Sequence, residues 1–180
     1  MQREIVLPET KPETEWIRGR AVRKVSPKRK HAVLQLWLGE RLKAWAGQRG
    51  IVGSEWRFRV APPGEEIRPL VPDLSYLAYE RIGDAAEDAL DAPLIPPNAA
   101  IEIRSPGDSR RDLEEKIRVL IRAGTDVVIV VNPKTRTVFA QDAGSRRIFW
   151  GDETFEHPAL PGFTFSLAEM FDALRLRRPS

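Results

Sequence analysis

At 180 residues the chain has the length of one ordinary domain and can bury a core without covalent or metal staples. It contains no cysteine, which excludes disulfides and thiolate metal sites, and its two histidines, His31 and His157, stand too far apart to suggest a zinc site. The net charge of +3 hides an uneven distribution: from Thr14 to Arg59 twelve basic residues face only Glu15, Glu40 and Glu55, a surplus suited either to a phosphate backbone or to a solvated, salt-bridged surface.

In chain order, residues 1–14 carry Pro8 and Pro12 among charges and read as a loose lead-in to a single domain spanning residues 15–180. Met1-Gln2-Arg3-Glu4 lacks the basic-then-apolar layout of a signal peptide, and no apolar run reaches membrane-spanning length. A cytoplasmic protein without a membrane segment is therefore expected. Trp16 to Val25 alternates partly around Gly19 and predicts a short strand or hairpin arm, broken at Ser26-Pro27. From His31 to Ala46, residues Val33, Leu34, Trp37, Leu38, Leu42 and Trp45 recur at helical spacing, and Gly47 stops the helix.

A strand pattern from Ile51 through Val60 turns at Pro62-Pro63-Gly64 and returns as Leu70 to Tyr79, which predicts an antiparallel pair. Residues 80–98 read as a loop with a helical turn. Ile101 to Arg104 forms a short strand ended by Ser105-Pro106-Gly107. Asp108 or Ser109 then caps a helix running to about Ala123, with Gly124 beyond it. The run Val127 to Val131 is wholly apolar and belongs at the centre of a sheet, with Thr137 to Ala140 as its partner. A last helix is expected from about Leu167 to Leu176.

Three polar residues sit where this pattern expects apolar ones. Asp73 shares a strand face with Val71 and Leu77, and either binds a cation or is a hydrogen-bonded strand-edge acid. Glu102 interrupts the apolar run Ala99 to Ile103. It either reaches a metal, with the Ile103 carbonyl as a further ligand, or pairs with Arg104. Lys116 flanks the apolar stripe Leu113, Ile117, Leu120 and points toward the sheet, or else bridges to Asp112 one turn earlier. Two acids at the ends of adjacent strands, sharing a divalent cation beside an amine, can hydrolyse phosphodiesters. His31 and Gln35 lie one turn apart and could face the same place, as could Glu15.

Pro72-Asp73, the segment Ala100-Ile101-Glu102-Ile103-Arg104-Ser105-Pro106, the segment Arg111 to Lys116, and Ala123-Gly124 followed by Val128 to Pro133 together resemble the Uma-type endonucleases of the PD-(D/E)XK restriction-endonuclease-like superfamily. Glu15-Trp16-Ile17-Arg18-Gly19 is similar to that family's N-terminal pattern. The resemblance implies an α/β fold with a mixed sheet flanked by helices. It also implies Mg²⁺ or Mn²⁺ held by Asp73 and Glu102, a nucleic-acid substrate such as DNA, and a homodimer. The superfamily's lysine two residues after the acid is replaced here by Arg104, so the resemblance moves the lysine's role to Lys116. Arginine stays protonated and cannot act as a base, which leaves Arg104 to phosphate binding or a structural ion pair. Two rival readings share the fold: a non-catalytic nucleic-acid-binding protein, and a dimeric scaffold using apolar residues between Leu160 and Phe165.

Overall fold

The computed structural model describes residues 2–176. A hairpin of β1 (Thr14–Ile17) and β2 (Arg20–Arg23) precedes helix α1 (Arg29–Ala46). Strands β3 (Gly50–Ser54), β4 (Phe58–Val60), β5 (Arg68–Leu70) and β6 (Leu74–Ala78) follow, then a one-turn helix α2 (Tyr79–Ile82). The second half contains β7 (Ala99–Ile103), α3 (Arg110–Ala123), β8 (Val127–Asn132), β9 (Thr137–Gln141), β10 (Arg146–Trp150), β11 (Thr154–Phe155), β12 (Phe165–Ser166) and α4 (Leu167–Asp172).

Six strands form one sheet in the order β10-β9-β8-β7-β6-β3. Only the β7–β8 pair is parallel, joined through α3 as a crossover, and the remaining neighbours are antiparallel. This is the mixed α/β sheet flanked by helices that the resemblance implies. β8 lies near the middle, and its residues are buried in two directions. Val127, Ile129 and Val131 join the cluster under α1 and α4, whereas Val128 and Val130 join the one under α3. Leu34, Leu38 and Leu42 of α1 are fully buried on the first face, each contributing about 1.5–3 kcal/mol by leaving water. Ser109 caps α3 by accepting the Asp112 N–H, and Gly124 ends it with a φ of 110°, a conformation that disfavours any side chain.

Three expectations need correction. The stretch from Ile51 to Tyr79 is not one antiparallel pair but two nested ladders, β3 with β6 and β4 with β5. The chain leaves the sheet at Glu55, whose φ is 50°, and on return it is interrupted at Pro72, which has no N–H to continue a ladder. The last helix stops at Asp172 because its buried anchors, Leu167, Met170 and Phe171, end there while Leu176 is exposed. Finally, Leu160, Phe163 and Phe165 do not form an exposed docking patch. They are buried among Trp45, Phe155 and Leu167, which removes the surface on which the scaffold reading rested. No described helix is long and apolar enough to cross a membrane.

Candidate active site

β6 and β7 run antiparallel, so the start of one and the end of the other lie at the same end of the sheet. Their ladder closes with Leu74 opposite Ile101, which places Asp73 just before β6 and Ile103 two residues beyond the last pair of that ladder. The Ile103 N–H donates to Asp73 Oδ2 at 2.7 Å. A strand residue sends its N–H and C=O to the same side, so the Ile103 carbonyl also faces Asp73. Strand alternation carries Ile101 and Ile103 to the α1 face and Ala100 and Glu102 to the α3 face. Lys116 comes down from α3 onto that second face, and its Nζ lies 2.7 Å from Glu102 Oε1.

Two elements close this end. The β1–β2 hairpin brings Glu15, whose Oε1 accepts the Val71 N–H at 2.6 Å and lies 2.6 Å from Lys116 Nζ. It also brings Lys24, whose Nζ donates to Asp73 Oδ1 at 2.6 Å and to the Val71 carbonyl at 3.0 Å. The first turns of α1 bring His31, with Nε2 3.6 Å from Asp73 Oδ2 and Nδ1 3.2 Å from Ser105 Oγ. Gln35, one turn on, donates to the Asp73 backbone carbonyl at 2.9 Å. The hairpin is itself pinned by Arg18 and Arg20, which pair with Asp112 at 3.3 and 2.6 Å.

Glu15, Lys24, His31, Asp73, Glu102 and Lys116 all line one pocket of about 230 Å³. The structure thus brings together every acid and lysine that the sequence singles out. The alternatives for Glu102 and Lys116 are not taken up: Arg104 donates to the Asp108 carbonyl at 3.1 Å, and Asp112 pairs with the hairpin arginines. Arg104 lines the same pocket, half-buried, with its Nε lacking a partner.

The two carboxyls are driven apart. Burial works against ionising Asp73, but Lys24 and then Lys116 and His31 outweigh it and hold the carboxyl below its usual range. For Glu102 burial is the dominant influence. Lys116 opposes it, Asp73 and Glu15 reinforce it, and the carboxyl is pushed up to about 8. Lys116, though buried, is held above its usual value by Glu102, Glu15 and Asp73 together.

The donors suit a hard divalent cation. Glu102 Oε1 is buried with no partner beyond its ion pair with Lys116, the Asp73 carboxylate stands close by, and the Ile103 carbonyl is turned to the Asp73 side. Among the described residues no three His, Cys, Asp or Glu side chains converge as a metal cluster. Only an ion content with one or two carboxylates, a carbonyl and several waters would fit, and that is the habit of Mg²⁺.

Two groups stand out within the basic surplus between Thr14 and Arg59. Arg57 and Arg59 pair with Glu13 and Glu4, and Arg41 and Arg49 stack on Trp37 and Trp45, so these serve the fold. Arg20, Arg23 and Lys24 instead line the pocket. Trp37 and Trp45, partly buried, pack against the core.

A sequence profile of the Uma2 family, described as "Putative restriction endonuclease", matches residues 3–168. A solved structure from Anabaena variabilis, described as "a putative nuclease", is similar with a TM-score of 0.83 and 26% sequence identity. The match covers 94% of this chain and 95% of that one. No curated protein matches the sequence.

Proposed function

The chain belongs to the Uma2 family, whose profile spans most of its length, and from that membership and the pocket's chemistry we propose that it is a divalent-metal-dependent endonuclease acting on DNA. The observation that carries this reading is the meeting of Asp73 and Glu102 at one end of the sheet, beside two lysines and within a pocket rimmed by arginines. Mg²⁺ or Mn²⁺ would be held by Asp73, Glu102 and the Ile103 carbonyl. Such an ion, when bound, polarises a phosphate oxygen and makes a water more acidic.

The chain's own groups supply the remaining functions. Asp73 stays ionised because Lys24, Lys116 and His31 favour its charge. Glu102 keeps its proton toward neutral pH in the metal-free protein and gives it up to become a ligand. Lys116 fixes Glu102 and Glu15 in place and balances their charge. Arg23 and Arg104 at the pocket give a phosphodiester backbone its electrostatic approach.

The test is incubation of the purified chain with supercoiled plasmid, single-stranded DNA and RNA, in Mg²⁺, in Mn²⁺ and in EDTA. Metal-dependent nicking that is lost in both Asp73→Asn and Glu102→Gln, each still folded, is the expected result. Equal cutting by the variants and the wild type would refute it, and a preference for RNA would reassign the substrate.

A further inference from the structure

Lys24 and Lys116 reach the pocket from opposite elements and meet at one acceptor, the Val71 carbonyl, 3.0 Å from each. They differ in how closely the protein encloses them. A lysine ammonium has three N–H donors and no acceptor. Around Lys116 Nζ stand three oxygens: Glu15 Oε1 at 2.6 Å, Glu102 Oε1 at 2.7 Å and the Val71 carbonyl. Its side chain is only 4% exposed. These three oxygens enclose Lys116 Nζ against the protein and leave it little room to greet a substrate.

Around Lys24 Nζ stand two oxygens, Asp73 Oδ1 at 2.6 Å and the Val71 carbonyl. Its side chain is 12% exposed and lines the pocket. One N–H therefore remains without a protein partner, on a side chain that lines the cavity. Lys24 belongs to the hairpin arm held by the pairing of Arg18 and Arg20 with Asp112, so the ammonium is positioned rather than tethered loosely.

We propose that Lys24, rather than Lys116, is the lysine that touches the substrate, donating its remaining N–H to a non-bridging oxygen of the scissile phosphate. The proposal rests on the phosphodiester-hydrolysis reading above. In that reaction the oxygen of water bonds to phosphorus and the bond from phosphorus to one sugar oxygen breaks. One proton of the water is released, and the departing oxygen is protonated. Lys24 exchanges no bond or proton. It stabilises the charge that gathers on the non-bridging oxygen, a donation whose loss typically costs about 10²–10³-fold in rate.

Because the chain contains no cysteine, Lys24→Cys carries a single thiol. Alkylation with 2-bromoethylamine restores an ammonium on a side chain of nearly lysine length, whereas iodoacetamide leaves a neutral one. Both products, and wild-type protein carried through the same urea and refolding cycle, are assayed for plasmid nicking with Mg²⁺ or Mn²⁺. The expected result is about a 10²-fold or larger loss in the iodoacetamide product, with recovery to within about tenfold of wild type in the aminoethylated one. A purely structural role would show as a lowered melting temperature that tracks the loss.

A second readout needs no turnover. Binding of a short fluorescent DNA oligonucleotide in EDTA should weaken in Lys24→Met, and its dependence on salt should fall by about one ion. Nicking by Lys24→Met within threefold of wild type, or an unchanged salt dependence, would overturn the role of Lys24 and leave the nuclease reading standing. Wild-type protein that cuts nothing while Glu102→Gln binds DNA equally well would defeat that reading itself, and the role of Lys24 with it.

Discussion

Glu102→Gln in the metal-free protein isolates the most perturbed carboxyl. In the unfolded chain Glu102 loses its proton near 4.5, and in the folded protein, where burial outweighs Lys116, it keeps the proton up to about 8. Between those values the native state binds one proton more than the unfolded state, so stability falls as pH rises. The contribution is whole below the unfolded value and gone above the folded one. A fully developed difference of one proton is worth about 1.4 kcal/mol per pH unit, or about 4 kcal/mol between pH 5 and pH 8. Glutamine keeps the shape and has no proton to lose. The melting temperature of Glu102→Gln should therefore gain on wild type as pH rises from 5 to 8. At roughly 2–4 °C per kcal/mol for a chain of this size, the gap should widen by roughly 8–16 °C. Thermal unfolding followed by circular dichroism in EDTA reads this directly, and parallel curves for the two proteins would refute the reasoning.

Asp73→Asn should show the opposite pH dependence. Its stabilising charge is present above the ordinary carboxylate range and lost in acid, so the variant's deficit should shrink as pH falls through and below 3.8 in the same melts. Lys116→Met leaves Glu15 buried without its cation and should cost about 3–5 kcal/mol in urea titrations, with part of the loss recovered in the double variant with Glu15→Gln. Mg²⁺ binding should release close to one proton at pH 7, read by calorimetry in buffers of different ionisation enthalpy, because Glu102 must ionise to become a ligand. Gly50→Ala should cost about 1–3 kcal/mol by thermal melt, since a Cβ there would stand 2.4 Å from the Leu77 carbonyl oxygen, and backbone cannot easily yield.

The elements that were legible in the sequence are those whose local pattern and tertiary environment agree. Helix α1 shows its leucines at helical spacing because one stripe is buried, and β8 is apolar throughout because both of its faces are covered. Strand β10 was not expected, since Arg146, Arg147, Ile148 and Trp150 are all exposed on an edge strand and only Phe149 is buried, which leaves no alternation to find. At the site, Asp73, Glu102 and Lys116 stood out as polar interruptions of apolar patterns, and that is the mark left by burial. Lys24 could not stand out, because it lies among other basic residues between Arg18 and Lys30. A signal was nevertheless present. A hairpin turning at Gly19 pairs Glu15 with Val22, and strand alternation then puts Lys24 on the face that carries Glu15.

The pocket's composition explains why Glu102 is the group that yields. Three carboxyls, Glu15, Asp73 and Glu102, face two ammonium groups, Lys24 and Lys116, in surroundings with little water to screen them. Lys24 pairs directly with Asp73, whereas Lys116 divides its direct pairing between Glu15 and Glu102. Glu15 has a backbone N–H from Val71 as well, and Asp73 has one from Ile103, but Glu102 Oε1 has no partner beyond its shared ion pair with Lys116. The carboxyl with the poorest support is therefore the one that retains a proton. In the proposed function the same shortfall of positive charge would favour a divalent cation there, beside Lys24 at the pocket wall.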